Sequence, residues 1–151
     1  MTPAEFEAWQ HLLARDYADE QVTAGNWQEN GAFERAWAEN EESLPQGLAT
    51  PGMLLLMGVL PDGTTVGRVW VALEHPRGTP DCAFLNDIEV DAPYRGRGLG
   101  RALIEAAERA VVAHGVGALE LSVFGDNASA VGLYSSAGYT VSRQLMRKRL
   151  P

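Results

Sequence analysis

The stretch richest in chemistry is Ile88-Glu89-Val90-Asp91-Ala92-Pro93-Tyr94-Arg95-Gly96-Arg97-Gly98-Leu99-Gly100-Arg101. A strand-like run ends there, a proline breaks it, and a loop of alternating glycines opens into a helical pattern. Glycines let backbone amides approach an anion with no Cβ in the way, and a helix start adds unpaired N–H groups and partial positive charge. Arg95, Arg97 and Arg101 supply charge-assisted donors on either side. From first principles this is a phosphate cradle; a helix entry that bound nothing would bear the cost of these glycines for no return. Two common cradles are excluded. Gly96-x-Gly98-x-Gly100 has the wrong third spacing for a dinucleotide fingerprint, and no Lys-Ser or Lys-Thr exists to complete a Walker loop. Asn127 and Tyr134 lie two helical turns apart, so one helix face can present both to a cleft. Cys82 has no histidine nearby in sequence and reads as a buried or strand-edge thiol. His11, His75 and His114 lack ligand spacing, and no metal site is expected.

The elements that must hold these groups can be read from periodicity. Thr2-Pro3-Ala4-Glu5 is a capping box with proline in the first helical turn. Phe6, Trp9, Leu13, Tyr17 and Val22 follow as an amphipathic stripe, closed by Gly25-Asn26. A second helix is predicted over residues 32–42, with Phe33 and Trp37 on one face and Glu34, Glu39, Glu41 and Glu42 outside. Residues 53–60 and 66–73 form a predicted hairpin around Asp62-Gly63, and 83–90 a third strand. The helix predicted from Gly98 to His114 turns Leu99, Leu103, Ala106, Ala110 and Val111 inward, carries Arg101, Glu105 and Arg109 as an i,i+4 ladder, and stops at Gly115. A strand at 119–123, a short helix at 128–136 and a last strand at 139–150 complete the pattern. The expectation is a single α/β domain over residues 1–151, with paired N-terminal helices and then β-β-β-α-β-α-β.

In these residues the sequence resembles the GNAT superfamily of acetyl-CoA-dependent N-acetyltransferases. The family's [Q/R]-x-x-G-x-[G/A] pattern is matched by Arg95-Gly96-Arg97-Gly98-Leu99-Gly100, behind a strand reading I-x-V-x-x-x-Y-R-G. Asn127, Ala130, Tyr134, Gly138 and Tyr139 match the family's N-x-x-A-x-x-x-Y-x-x-x-G-[F/Y]. The likeness is good over residues 53–150 and loose over the N-terminal helices. It implies a mixed, mostly antiparallel sheet flanked by helices and splayed at a coenzyme A site. It also implies that Arg95, Gly96, Arg97, Gly98, Leu99, Gly100 and Arg101 hold the pyrophosphate. The Ile88-Glu89-Val90 backbone would pair with the pantetheine arm as an added strand. By the same resemblance Asn127 bonds that arm or orients the local backbone, and Tyr134 is the general acid.

Two departures qualify the likeness. The position aligned with the family's usual general base holds Asn86, which cannot accept a proton. Asp87 and Glu89, sharing a strand face by alternation, are the expected substitutes through a water relay. The family's opening L-R-P strand has no counterpart ahead of the first helix, so either the sheet lacks its first strand or the start given for the chain is late.

Composition sets the remaining bounds. A chain of 151 residues with 46% apolar content can bury a core, and its single cysteine excludes a disulfide framework. The N-terminus MTPAEFEAWQ shows neither a basic nor an apolar leader region, and no run is long enough to span a bilayer, so a soluble cytoplasmic protein is expected. A formal charge of −8 argues against nucleic-acid partners. Basic residues concentrated at 95–101 and 143–149 suit a small polyanion instead. The expected activity is direct acetyl transfer from acetyl-CoA to a primary amine in a ternary complex. The alternative is a catalytically silent acyl-CoA-binding or sensing module on the same fold. A small-molecule amine acceptor is expected between the first two helices and the strand face after Leu119, near Trp27 and Trp37; the charge argument favours a cationic one, with polyamines, amino sugars, amino acids and protein N-termini all open. No membrane partner is expected, and the chain would be a monomer or a homodimer.

Overall fold

In the computed structural model, which describes residues 1–151, the capping box forms as written. Thr2 Oγ1 accepts from the Glu5 amide at 3.3 Å while Glu5 Oε2 accepts from the Thr2 amide at 2.6 Å. Helix α1 (Pro3–Thr23) starts there. It buries Trp9 and Leu13 toward the sheet and Ala14 and Ala18 toward the next helix. Trp9 meets Trp70 edge-on, with ring centroids 5.7 Å apart, a geometry contributing about 0.5–1.5 kcal/mol beyond area burial.

Helix α2 (Ala32–Ser43) corrects the sequence expectation. It buries Ala32, Ala36 and Asn40, while Phe33 is exposed and Trp37 only half-buried. Two helices packing closely need small residues at the contact. Ala14 and Ala18 of α1 meet Ala32 and Ala36 of α2, and the aromatic rings are displaced to the rim of that contact.

Strands β1 (Met53–Val59), β2 (Thr65–Ala72), β3 (Cys82–Val90) and β4 (Ala118–Leu121) form one sheet in that order. The first two junctions are antiparallel and β3–β4 is parallel, the expected mixed sheet. No strand precedes α1. One sheet face carries Trp70 and Leu55 against α1. The other carries Val69, Val71, Ala83 and Leu85 against Leu103, Ile104, Ala107 and Val111 of helix α3 (Leu99–Ala113). The buried α3 face is thus rotated from the predicted one, with Ile104 and Ala107 inward in place of Leu99, Ala106 and Ala110. Gly58 and Gly67 pair across β1–β2, and a Cβ on either would strike the Leu103 side chain; the hollow they leave lets α3 approach the sheet.

Helix α4 (Ala128–Ser136) runs as predicted. The predicted last strand is a correction, since residues 139–150 make no strand and every residue from Thr140 to Pro151 is exposed. Alternation is a local signal, whereas a ladder needs bonded partners, and no strand of the sheet bonds that segment.

Candidate active site at the splay of β3 and β4

Strand β3 pairs with β4 only from Cys82 to Leu85. Beyond that point its β4-facing edge is free. Asp91 N donates to Val66 O, so hydrogen-bonded pairing alternates through Glu89, and the backbone groups of Ile88 and Val90 turn away from β2 toward the gap.

The site depends on one irregularity. Trp70 pairs with Asp87 and Val71 with Leu85, which leaves Asn86 as an extra residue in a β-bulge. Leu85 packs under α3. Asp87, two residues later, lies on the α1 face, where its Oδ2 accepts from Trp9 Nε1 at 3.1 Å and Arg68 Nε at 2.9 Å. Bulges re-aim side chains in this way. Asn86, at the position of the family's usual base, is exposed in the bulge.

Arg68 is the hub, only 7% exposed. Besides Asp87, its Nη2 donates to Glu89 Oε2 at 2.5 Å and lies 3.7 Å from Asp16 Oδ2. Glu89 Oε1 accepts from Arg95 Nη2 at 2.7 Å, and Arg95 Nε donates to Val90 O at 2.9 Å. Both Glu89 oxygens are therefore engaged, whereas Asp87 keeps Oδ1 without a side-chain donor. Removing one partner from such a buried ion cluster costs about 3–5 kcal/mol, so stability itself fixes these carboxylates. Glu20, one turn beyond Asp16 on α1, has its carboxyl pushed up by desolvation and by the charges of Asp87, Asp16 and Glu89.

Across the gap, α4 presents a half-buried Tyr134. Desolvation first, then the Asp87 charge, raises its hydroxyl above the ordinary 10.0, so it stays protonated and able to donate at neutral pH. Tyr139 packs edge-on against it at 5.8 Å. Asn127 caps α4, its Oδ1 accepting from the Ala130 amide at 3.1 Å; of its two expected roles, orienting the local backbone is the one observed.

The glycine loop forms the entry to α3. Gly96 and Gly98 have φ of +74° and +78°, and a Cβ on either would meet nothing within 4 Å. Space and left-handed backbone together leave the helix start open, with first-turn amides of α3 that have no acceptor four residues back. An open helix start of this kind has the chemistry to take a pyrophosphate, and the free edge at Ile88 and Val90 that to take an extended pantetheine arm. Gly100 has a different job. A Cβ there would lie 3.2 Å from Leu133 Cδ2, so it admits α4 against α3. Arg97 lies over the Tyr94 ring at 5.8 Å. Arg101 donates to Ser136 Oγ at 2.5 Å, tying α3 to α4 in place of the predicted pairing with Glu105.

Several expected features lie elsewhere. Trp27 packs on Tyr17 and under Arg35, and Trp37 on His11 and Phe33. Neither lines the groove of about 400 Å³ between α1 and α2, which is bounded by Ala18, Val22, Thr23, Ala32 and Phe33 among others. Cys82 is buried, its thiol pushed up by desolvation. His75 is buried against Glu120 at 3.2 Å, and no group of side chains could hold a metal ion. No helix is long and apolar enough to cross a membrane. The residues that sequence reading missed are Trp9, Asp16, Glu20 and Arg68. The available signal was polar groups continuing the buried stripe of α1 and an arginine inside an apolar strand.

Known proteins share this fold. The Acetyltransferase (GNAT) family model matches residues 6–139. YycN of Bacillus subtilis strain 168, named an uncharacterized N-acetyltransferase, is 32% identical, covering 99% of this chain and 96% of its own. YdgE of the same organism, also named an N-acetyltransferase, is 29% identical over 99% of this chain and 95% of its own. A crystal structure of YycN superposes with a TM-score of 0.93 over 100% of this chain and 96% of that one, at 31% identity. The fold also matches AAC(6')-Iy, solved with a bisubstrate analogue, CoA-S-monomethyl-acetylneamine, at a TM-score of 0.65 and 17% identity over 100% of this chain and 95% of that one. With the profile match, the whole-length relatives and the splayed sheet in agreement, this chain belongs to the GNAT acetyltransferase family.

Proposed function

We propose that this protein transfers an acetyl group from acetyl-CoA to the free amine of a small cationic acceptor, by direct attack in a ternary complex. The observation that carries the reading is the meeting, at one splay, of an open glycine-rich helix start, a free strand edge, a carboxylate with an unengaged oxygen and a protonated tyrosine. The coenzyme-bound analogue in AAC(6')-Iy supports coenzyme A as the donor for this fold.

In this reading the first-turn amides of α3, with the open backbone at Gly96 and Gly98, hold the pyrophosphate. The Ile88 and Val90 backbone aligns the pantetheine arm; Arg95 already occupies the Val90 carbonyl, which leaves the two N–H groups and the Ile88 carbonyl for it. Acetyl-CoA supplies a thioester whose carbonyl carbon forms the new C–N bond as the C–S bond breaks. Asp87 Oδ1 accepts the amine proton, directly or through one water, and Tyr134 donates its hydroxyl proton to the departing sulfur. Asp87 is favoured over Glu89 because both Glu89 oxygens already accept from guanidinium groups.

Acceptor charge follows from the same residues. Asp16, Asp87 and Glu89 meet Arg68, Glu89 also meets Arg95, and Glu20 lies within reach of the three carboxylates' charges, an excess of negative charge that attracts a cation. Steady-state turnover with a broad panel of amines, read as thiol release, tests the reading; cationic acceptors should be preferred, and salt should weaken the preference. Binding of acetyl-CoA with no turnover on any amine would instead identify a silent acyl-CoA-binding module.

A further inference from the structure

Two tryptophans lie together in the core between α1 and the sheet, and they direct their N–H groups differently. Trp70 of β2 donates to Met53 Sδ at 3.4 Å, a weak thioether acceptor. Trp9 of α1, only 3% exposed, donates instead to Asp87 Oδ2 at 3.1 Å. Its ring meets Trp70 edge-on at 5.7 Å and Phe6 at 5.5 Å, in one cluster with Leu13, Leu44 and Leu55. A ring so closely packed keeps one orientation, and its N–H keeps one direction.

The Asp87 carboxylate needs such a constraint. The terminal torsion of an aspartate is broad and nearly twofold, so by itself it sets neither oxygen in a fixed place. Arg68 Nε also donates to Oδ2, at 2.9 Å, but the same guanidinium is drawn through Nη2 to Glu89 Oε2 and Asp16 Oδ2. One donor from β2 lets the carboxylate pivot about that bond. A second donor on the same oxygen, reaching it from α1, fixes it. Two donors fill the two lone pairs of Oδ2 and leave those of Oδ1 open. The indole carries no charge, so it orients the carboxylate without adding to the cation already beside it.

We propose that Trp9 is a positioning residue for acetyl transfer: its indole N–H, acting with Arg68, holds Asp87 Oδ2 and leaves Oδ1 as the oxygen that takes the amine proton. The inference rests on the proposed role of Asp87 as proton acceptor. Helix α1 thereby sets the aim of the base as well as covering the sheet. Losses of aim fall on the chemical step, where a displacement of about 1 Å costs up to roughly 10²-fold in rate.

Trp9→Phe keeps an aromatic ring in the core and removes the donor. It should lower kcat of the folded fraction by roughly 10–10²-fold, with the KM values for acetyl-CoA and amine unchanged. Trp70→Phe makes the same exchange in the same cluster and should leave kcat at the wild-type level. Adding Trp9→Phe to Asp87→Asn should cause no further loss, because a carboxylate that is absent cannot be aimed. A readout independent of turnover comes from the coenzyme-free protein by NMR: the Trp9 indole N–H should exchange slowly with water, and its resonance should move in Asp87→Asn. That measurement needs no Trp9 variant, so it decides the matter even where Trp9→Phe fails to fold. The positioning role is overturned by a wild-type kcat in Trp9→Phe, a rise in KM alone, an equal loss in Trp70→Phe, a further loss in the double variant, or an indole resonance unmoved by Asp87→Asn. A wild-type kcat in Asp87→Asn removes the base assignment itself and the positioning role with it. A slow Asp87→Asn beside an unimpaired Trp9→Phe removes the positioning role alone.

Discussion

The two halves of β3 make a natural comparison. From Cys82 to Leu85 the strand is bonded on both edges, and Ala83 and Leu85 are buried under α3. From Asp87 to Val90 it keeps only β2, and its α1-facing side chains are carboxylates gripping a buried arginine. The single extra residue, Asn86, divides them. A strand that loses one neighbour while keeping the other presents backbone groups to a ligand without losing its position. A bulge at the same place lets the side chains change from core to chemistry.

The hardest blow to the open half should be Gly98→Val. A β-branched residue at φ of +78° costs about 1–3 kcal/mol of backbone strain and places side-chain atoms in the open space beside the helix start. Acetyl-CoA binding by calorimetry should vanish while the circular dichroism spectrum persists; unchanged affinity would break the pyrophosphate assignment. The closed half should respond only in stability. Leu85→Ala should lower unfolding free energy by about 2–5 kcal/mol, measured in urea, with kcat of the folded fraction unchanged. Tyr134→Phe should reduce kcat by roughly 10–10³-fold with coenzyme affinity nearly constant; a wild-type kcat would move the acid role elsewhere. Within the open half itself, Asp87→Asn should lower kcat by about tenfold more than Glu89→Gln, because general-base loss falls on the group with a free oxygen. A larger effect from Glu89 would exchange their roles. The smallest effect concerns pH. The raised Tyr134 hydroxyl holds its proton past the ordinary 10.0, so the alkaline limb of kcat should lie above pH 10. Asp87→Asn, by removing one cause of the shift, should bring that limb lower in a pH–rate profile.

Parts of this were legible before any fold was known. Thr2 and Glu5 cap a helix through groups three residues apart, and the glycines at 96 and 98 specify a left-handed entry to α3 from their own backbone freedom. Phe33 and Trp37 misled because hydrophobicity alone does not say that α1 and α2 must approach on alanines. Asp87 and Glu89 were recognised as candidate bases. Their difference was invisible, since it depends on Arg68 and Arg95, whose side chains reach them from β2 and from the glycine loop.

By itself, then, the sequence determined the features that act over a turn or a strand: the helix caps, the cradle glycines, the Asn127–Tyr134 face of α4, and the family those motifs mark. The tertiary structure alone decided the bulge at Asn86, the arginine hub at residue 68, the approach of Asp16 and Glu20, and the unpaired course of residues 140–150. The physical reason is the range of the interactions. Caps and left-handed glycines are settled among near neighbours in the chain. Strand register, ion clusters and edge pairing depend on partners tens of residues away, whose arrival no local pattern encodes.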